Sequence, residues 1–536
     1  MATANDNVSK LRDMGHTVGH NPATGEQIGK VANTDLEQFP NMLNKARQAQ
    51  SYWARLSYKE RAVYIGRMRR YIMAHADELA KVVSESNGKT RVDALATEVL
   101  PITLACGWYA KNSQKVLRRR WRPTGSILFF NKLTTIEHLP VGVVGIISPW
   151  NYPLSIPFGE VIMGLMAGNA VVLKVAAATP LVGEAIQRIV EAGQLPEGLF
   201  QMVYGSGGEV SSAMLEHGID KLFFTGSVPA GKSIMAAAAK TLTPLSLELG
   251  GNDPMIVLKD ANLERAVNGA IWGGFQNAGQ SCGGVERIYV HTSIYSQFVE
   301  ALCNKTKALR HGVPSAEFNV DIGSLTTANQ LKLVQSHIDE AVKGGAKVAA
   351  QSRPVNVSDK GFFHPATVLL DVTHDMTVQR EESFGPVITV MPFNTEEEVI
   401  KWANDSDLAL TSSVWTKDNQ RGRAIAARLE SGVTTVNDHL YTHGLSETPW
   451  GGWKGSGIGR THGPEGLEEM THAKVVNWDW MGGNRSLWWH PHDEATYNTL
   501  KAAMHMAFPS SVGEFVKSSA KVAPRLIQRA VGRWKV

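Results

Sequence analysis

The feature that most constrains this chain is a series of short, continuously apolar runs separated by helix-length stretches, beginning at Val141. VGVVGIIS (141–148), NAVVLKV (169–175), LFQMVYG (199–205) and KLFFTGS (221–227) alternate with helix-like segments at 155–167, 179–193, 208–217 and 229–240. Strands without a polar side must be covered on both faces, so this alternation predicts a parallel sheet with crossover helices. A second texture of the same kind fills about 253–475. Its helices are expected near 262–276, 293–310, 327–343 and 418–430, and its strands near 285–291, 366–370, 387–393 and 433–436. Helices with mixed faces are expected over 60–83 and 92–120. The segment 122–140 alternates like a hairpin, and such an arm must pair its edges, which points to self-association. At 536 residues the chain is too long for one core. The expected fold is therefore α/β, with two Rossmann-like parallel-sheet lobes and a small β-arm.

Several classes are excluded. Lys+Arg 54 against Asp+Glu 50 leaves +4, too slight a surplus for a nucleic-acid binder covered in basic patches. Cys106, Cys282 and Cys303 are too few for a disulfide framework, and without a CxxC pair no metal site is expected. The polar N-terminus lacks the order of a secretion signal. The most apolar long stretch, Pro153 to Leu173, is interrupted by Pro157, Glu160 and Asn169, which suits a buried helix and strand better than a membrane span. A cytoplasmic protein is expected.

Ligands on parallel sheets bind beyond the carboxyl ends of the strands, so the residues just after each run matter most. Ser148-Pro149-Trp150-Asn151-Tyr152-Pro153 follows the first. Two prolines fix that turn, and a rigid Asn151 amide could donate to a developing oxyanion; the ordinary alternative is an Asx turn. Lys174 ends the second run, where it could meet a ribose or phosphate, although most lysines are simply solvated. Thr225-Gly226-Ser227 leads through Gly231 into a helix, a setting that suits a pyrophosphate, but it has neither GxGxxG spacing nor a P-loop Lys. Glu248 stands beside Gly250 and Gly251, and Cys282 lies in a Gly-rich turn 34 positions later. A cysteine stripped of bulky neighbours suits a nucleophile that must be reached, whereas Cys106 and Cys303 sit in helix-like core settings. Glu382 and Phe384 share a turn before another strand. That turn could hold a polar ring substituent and a ring face, or simply be a surface turn.

Taken together, SPWNYP, LKV, FFTGS, LELGGNDP, FQNAGQSC, EESFGPV and PWGGWKGSGIGR, in this order between about residues 20 and 475, resemble the aldehyde dehydrogenase superfamily. The resemblance implies oxidation of an aldehyde to the acid with NAD or NADP. Cys282 would attack the carbonyl, with the oxyanion held by the Asn151 amide and the Cys282 N–H. Hydride would pass to the nicotinamide, and Glu248 would activate the water that hydrolyses the thioester. Glu382 would bind the nicotinamide ribose and Phe384 pack near the ring. Gly226, Ser227 and Gly231 would meet the pyrophosphate. Lys174, with Pro149 and Trp150, would surround the adenosine ribose. The implied domains are 1–121 with 140–252 for the dinucleotide, 253–475 for catalysis, 122–139 with 476–485 for a homodimer or homotetramer, and a tail at 486–536.

Two positions depart from the family pattern. Ala177 stands where many NAD-preferring members carry a ribose-binding Glu, which leaves room for a 2′-phosphate and makes NADP use the expectation. Thr461 follows Arg460 where many relatives have a Glu, so no auxiliary carboxylate is assigned there. Tyr152, Trp272, Phe275, Trp450 and the loop His439–His443 are candidates to line the substrate pocket. With no Arg pair among them, a hydrophobic aliphatic or aromatic aldehyde is favoured over a semialdehyde acid. A CoA-acylating relative and a catalytically silent scaffold are the alternatives. Glu248 disfavours the first, and the retention of all three catalytic residues disfavours the second.

Residues 485–536 hold eight Lys/Arg and three Asp/Glu. Lys517, Lys521, Arg525, Arg529 and Arg533 recur every four residues among Phe515, Val522, Leu526, Ile527, Val531 and Trp534, the pattern of a basic amphipathic helix, with a kink or break expected at Pro524. Such a helix could lie on the inner face of an anionic membrane or pack on protein. Trp488 and Trp489 could anchor it or cap the substrate mouth.

Overall fold

A computed structural model of the chain describes residues 12–13, 15–481, 486 and 488–530. The N-terminal stretch through Leu11, together with Arg485, Val531, Arg533 and Trp534, lies outside the described residues. The chain forms two units, Met1–Val116 with Pro140–Thr471, and Leu117–Leu139 with His472–Val536.

The first unit holds both predicted sheets. One is six-stranded, ordered Gly457–Ile458, Leu245–Glu248, Lys221–Thr225, Val143–Ile147, Ala170–Lys174, Phe200–Val203. Its pairs are parallel except at the short Gly457–Ile458 edge. Val143–Ile147, Ala170–Lys174 and Lys221–Thr225 are buried throughout, as their unbroken apolar character requires. The register aligns Ile147 with Lys174 and Phe224, and Thr225 with Glu248. The turn after Ile147, Lys174, the Gly226 turn and Glu248 therefore share one edge of the sheet.

The second sheet has seven strands, ordered Lys347–Gln351, Thr367–Leu370, Val387–Phe393, Val285–His291, Asp253–Val257, Thr411–Trp415, Val433–Val436. Its core joins Met255, Ile288, Val368 and Ile388 to the helices Leu263–Phe275, Tyr295–Ala308 and Ala328–Lys343. Thr411–Trp415 (TSSVW) is an interior strand absent from the sequence expectation, because its hydroxyls hide it. Thr411 spends its N–H and hydroxyl on Asp253, and Ser412 bonds Ser431 and Thr434.

The helical start also differs. The helix expected over 60–83 is two helices, Tyr58–Ala74 and Ala76–Asn87, broken at His75 (φ −117°, ψ 26°). The helix expected over 92–120 is Arg91–Ala94, a π-turn over Leu95–Val99, and Leu100–Leu117. The π-turn contains Glu98, whose carboxylate turns inward to Lys89 at 2.7 Å with both side chains fully buried.

In the second unit, the hairpin expected over 122–140 begins two residues earlier, with Arg120–Arg122 pairing antiparallel to Thr134–Ile136. Lys132–Pro140 lies between Arg120–Arg122 and Thr471–Asp479, while Ile127–Phe129 forms a 3₁₀ turn. Asp479 holds this sheet by accepting from Asn131 and from Lys132. The arm and the tail, expected as separate segments, group together. The tail forms two helices, Glu494–Ala507 and Val512–Ala530. Val522 is buried against Ala502 and Ala503, with Leu128, Met506 and Leu526 beside them. Helix Val512–Ala530 continues through Pro524, so of the kink or break expected there the break does not occur. Packing of Val522 and Leu526 on either side holds the turn whose backbone bond proline removes. Among the described residues no helix is long and apolar enough to cross a membrane.

Candidate active site

Asn151 is held by a buried electrostatic frame. Lys89 Nζ donates to the Asn151 carbonyl at 2.8 Å, and Asn277 Nδ2 donates to the same oxygen at 2.9 Å. Glu98, the partner of Lys89, accepts from the amides of Leu154 and Ser155 at 2.9 and 2.8 Å. A carboxylate thus meets the N-terminus of helix Ser155–Ala167, where the helix dipole favours it. The frame consumes the Asn151 backbone but not its side chain. Asn151 is 2% exposed, and its Oδ1 has no hydrogen-bond partner. Lys89 and Glu98 escape sequence reasoning because, along the chain, they look like solvated helix charges.

Cys282 follows a tight buried loop. Asn277, Ala278 and Gly279 adopt left-handed backbone angles (φ 54°, 53° and 70°), and the Asn277 and Gln280 side chains bond within the loop. Gly279 is required there, since a Cβ would overlap the Gly385 carbonyl; Gly251 likewise backs onto the Cys282 carbonyl. These two glycines bring the cysteine loop against both the Glu248–Asn252 turn and the Glu381–Pro386 turn. Burial pushes the Cys282 thiol up, and the carboxyls of Glu382, Glu248 and Asp253 push it further. The sulfur is therefore a neutral thiol at rest, without the electropositive surroundings of a preformed thiolate.

Glu248 ends its strand with its carbonyl accepting from Gly226 N at 3.0 Å. Its carboxyl is buried, and Oε2 has no partner. Burial raises it well above the usual carboxylate range, Glu160 raises it further, and Arg460 opposes both. Glu160, unmarked in the sequence except as an interruption of an apolar run, lies buried on helix Ser155–Ala167.

Around the six-stranded sheet, Lys174 is nearly buried and pushed down to about 8 by that burial; its Nζ approaches Gly207. Ser227 occupies the N-cap of helix Val228–Ala238 yet makes no side-chain cap bond, and its hydroxyl is exposed. Gly231 lets that helix sit on Leu249. Pro149 is half-buried. The Trp150 ring meets Phe384 edge-on at 5.4 Å. Phe384 is held at φ 47°, a left-handed angle unusual for a bulky residue, by its N–H donating to Glu286 Oε1 at 2.9 Å. Glu382 Oε1 accepts from Gly251 N at 3.0 Å, and burial raises its carboxyl well above the ordinary range. A helix N-terminus with an uncommitted hydroxyl, a buried lysine amine and an aromatic pair fit a dinucleotide. Among the described residues no cluster of His, Cys, Asp or Glu could hold a metal.

A cavity of about 260 Å³ opens at Cys282, walled by Tyr152, Trp272, Trp450, Leu100, Leu104 and His443 among others. Tyr152 is fixed by its hydroxyl donating to Gln276 Oε1 at 2.6 Å. Phe275, a sequence candidate, does not line the cavity. It is 2% exposed and packs in the core of the second sheet, one helical step away from the Trp272 face. Of the loop candidates, Leu440, Tyr441 and His443 face the cavity, whereas His439 turns to the Gly283 carbonyl at 2.8 Å.

Residues 13–476 match the model of the aldehyde dehydrogenase family. The chain is 35% identical to 4,4'-diapolycopene aldehyde oxidase of Methylomonas sp, over 91% of this chain and 90% of that protein. It is 37% identical to a protein of Mycobacterium ulcerans provisionally named succinate-semialdehyde dehydrogenase [NADP(+)] 2, over 84% and 86%. It is also similar to the NAD+ complex of an aldehyde dehydrogenase from Bacillus cereus, with TM-score 0.81 and 35% identity over 87% of this chain and 93% of that one.

Proposed function

The chain belongs to the aldehyde dehydrogenase family, an enzyme oxidising an aldehyde with NAD or NADP, and from that premise we propose that Cys282, Glu248 and Asn151 perform the chemistry on a hydrophobic aldehyde. The carrying observation is Cys282 at the floor of an apolar cavity, within electrostatic reach of Glu248.

Because the thiol is neutral at rest, its proton must leave, to solvent water at the cavity, as sulfur bonds the carbonyl carbon. The side-chain amide of Asn151, its backbone clamped by Lys89 and Asn277, donates to the oxyanion together with the Cys282 N–H. A bound dinucleotide would supply the acceptor for the substrate's hydride, and Cys282 would then carry a thioester. Glu248 then takes a proton from water as the water oxygen attacks the thioester carbon and the C–S bond breaks, releasing the acid. Water as acceptor separates this reading from acyl transfer to CoA. For the dinucleotide we propose that Lys174, Gly226, Ser227, Gly231, Glu382 and Phe384 hold it, with Pro149 and Trp150 alongside. Ala177 leaves room beside Lys174 for the 2′-phosphate of NADP.

The substrate reading rests on the walls. No Lys or Arg lines the cavity among the described residues, and its mouth carries Leu100, Leu104, Trp272 and Tyr441, each at least 40% exposed. A long apolar chain would cover these residues, gaining about 1.5–3 kcal/mol for each side chain fully removed from water. The kcat/KM of aliphatic aldehydes should therefore rise with chain length. The double change Leu100→Asn/Leu104→Asn should cost long aldehydes about tenfold and short ones little. A flat chain-length profile with succinic semialdehyde preferred would refute this and favour the semialdehyde alternative.

We further propose self-association as a homodimer or homotetramer through the sheet edge Thr471–Asp479, where an edge strand invites pairing. The tail carries Phe508, Val512 and Val516 exposed beside the exposed Lys517 and Lys521, a mixture that suits an anionic membrane surface. Sedimentation with phosphatidylserine vesicles should fall when Phe508 and Val512 become Ser and Lys517 and Lys521 become Glu. Unchanged sedimentation would leave the tail as a protein-packing element.

A further inference from the structure

Three side chains converge on two successive carbonyls of the turn that carries Asn151. Asn87 Nδ2 donates to the Trp150 carbonyl at 2.9 Å, while Lys89 Nζ and Asn277 Nδ2 share the Asn151 carbonyl. Lys89 is the charged member of the three. Its Nζ also meets Glu98 at 2.7 Å and stands 4.3 Å from the centre of the Tyr152 ring, a wall of the substrate cavity. The backbone that delivers Lys89 is fixed as well. Gly88 ends helix Ala76–Asn87 at φ 93°, where a Cβ would overlap Ser324 Oγ, and Ser84 Oγ donates to the Lys89 carbonyl at 2.7 Å. Asn277 belongs to the loop that leads to Cys282, and its Nδ2 donates to the Gln280 carbonyl at 3.0 Å. The Asn151 carbonyl is therefore the point at which the amide's turn and the cysteine's loop are held in register.

A fully buried ion pair is a poor source of stability. Desolvating two charges costs about as much as their attraction returns, and apolar replacements of similar volume are often neutral or stabilising. The contacts of Lys89 suit another role, because they fall on Asn151 and on Tyr152. Asn151 Oδ1 has no hydrogen-bond partner, so the backbone beneath the side chain must set where its amide points. We propose that Lys89, paired with Glu98, is a positioning residue that holds the Asn151 amide at the site where the oxyanion develops, in register with Cys282 through the carbonyl it shares with Asn277. This rests on Asn151 being an oxyanion donor. Lys89 does not wall the substrate cavity and acts only through Asn151. Misplacing such a donor by about 1 Å can cost about a hundredfold in rate.

Removing Lys89 alone would leave the Glu98 carboxylate buried and unpaired, which is strongly destabilising in itself. The informative change is therefore the double one, Lys89→Met/Glu98→Gln. Methionine fills the space of the lysine stem without a donor. The glutamine carbonyl can still accept from the amides of Leu154 and Ser155, so the start of helix Ser155–Ala167 keeps its cap. What the double change takes away is the donor beneath the Asn151 carbonyl.

The test is a double-mutant cycle with Asn151→Ala in the full-length enzyme. Lys89→Met/Glu98→Gln should lower kcat for aldehyde by about tenfold to a hundredfold. Alkylation of Cys282 by iodoacetamide, which forms no oxyanion, should stay within about twofold of the wild-type rate, and NAD+ or NADP+ should raise the Tm as in wild type. Added to Asn151→Ala, the same double change should cost less than about twofold more, since the donor it positions is already gone. Lys89→Gln/Glu98→Gln, which restores a shorter donor, should recover part of the loss and remain about threefold below wild type. A normal kcat in Lys89→Met/Glu98→Gln would overturn the proposal. So would losses that multiply in the Asn151→Ala background, which place the pair's action elsewhere, or alkylation and Tm shift falling in step with kcat, which make the pair structural. If the methionine variant does not fold, Lys89→Gln/Glu98→Gln enters the same cycle, and multiplied losses or an undiminished kcat there overturn the proposal. Failure of the underlying assignment would look different: Asn151→Ala alone would then turn over like wild type.

Discussion

Cys282→Ala is expected to lose aldehyde-dependent NAD(P)H formation by about four orders of magnitude or more, while still binding dinucleotide. The size of the effect follows from the sulfur's proposed role as the covalent acceptor. Asn151 and the backbone N–H can stabilise an oxyanion only after a bond to carbon has formed, and no other nucleophile among the described residues lines the cavity as a thiol. The change is structurally mild, because Cys282 is only partly enclosed and its loop is held by Asn277, Gln280 and Gly279 rather than by the sulfur. Binding measured by nicotinamide-dependent fluorescence should persist, since the proposed dinucleotide contacts come from Lys174, Ser227 and Glu382. Equal loss of binding and turnover would point to a collapsed loop instead.

Glu248→Gln is expected to slow steady-state turnover by about 10²- to 10⁴-fold, with hydrolysis of the thioester as the blocked step. Rapid mixing should show roughly one equivalent of NAD(P)H per active site, then a stall. The wild-type profile carries the same signature. Burial and Glu160 raise the Glu248 carboxyl, so at low pH it is protonated and cannot accept a proton. Turnover should be lost as pH falls through that raised value and recovered above it, and Glu248→Gln should lose this limb. A variant that hydrolyses its thioester at the wild-type rate would remove Glu248 as the base.

Much of this site is legible in the sequence because its parts sit at strand ends. Once 141–148, 169–175 and 221–227 are read as parallel strands, Asn151, Lys174 and Gly226 fall on one edge, and the register puts Glu248 there as well. What stays hidden are groups whose partners are distant in the chain. Lys89 and Glu98 form a buried pair only because the π-turn rotates Glu98 inward. Glu286, inside strand Val285–His291, holds the backbone of Ser383 and Phe384 across nearly a hundred residues. Phe275 illustrates the opposite error. Its aromatic character suits a pocket wall, but three positions after Trp272 it turns into the core. The strand Thr411–Trp415 is missed because its hydroxyls find partners only in the folded sheet.

The claim on which the rest depends is covalent capture at Cys282. Intact-protein and peptide mass spectrometry of Glu248→Gln, mixed with a long-chain aldehyde and NAD(P)+ and quenched in acid, tests it directly. A mass increase equal to the acyl group, confined to the peptide containing Cys282 and absent without dinucleotide, is the predicted result. No adduct while NAD(P)H still forms, or an adduct on Cys106 or Cys303, would contradict it.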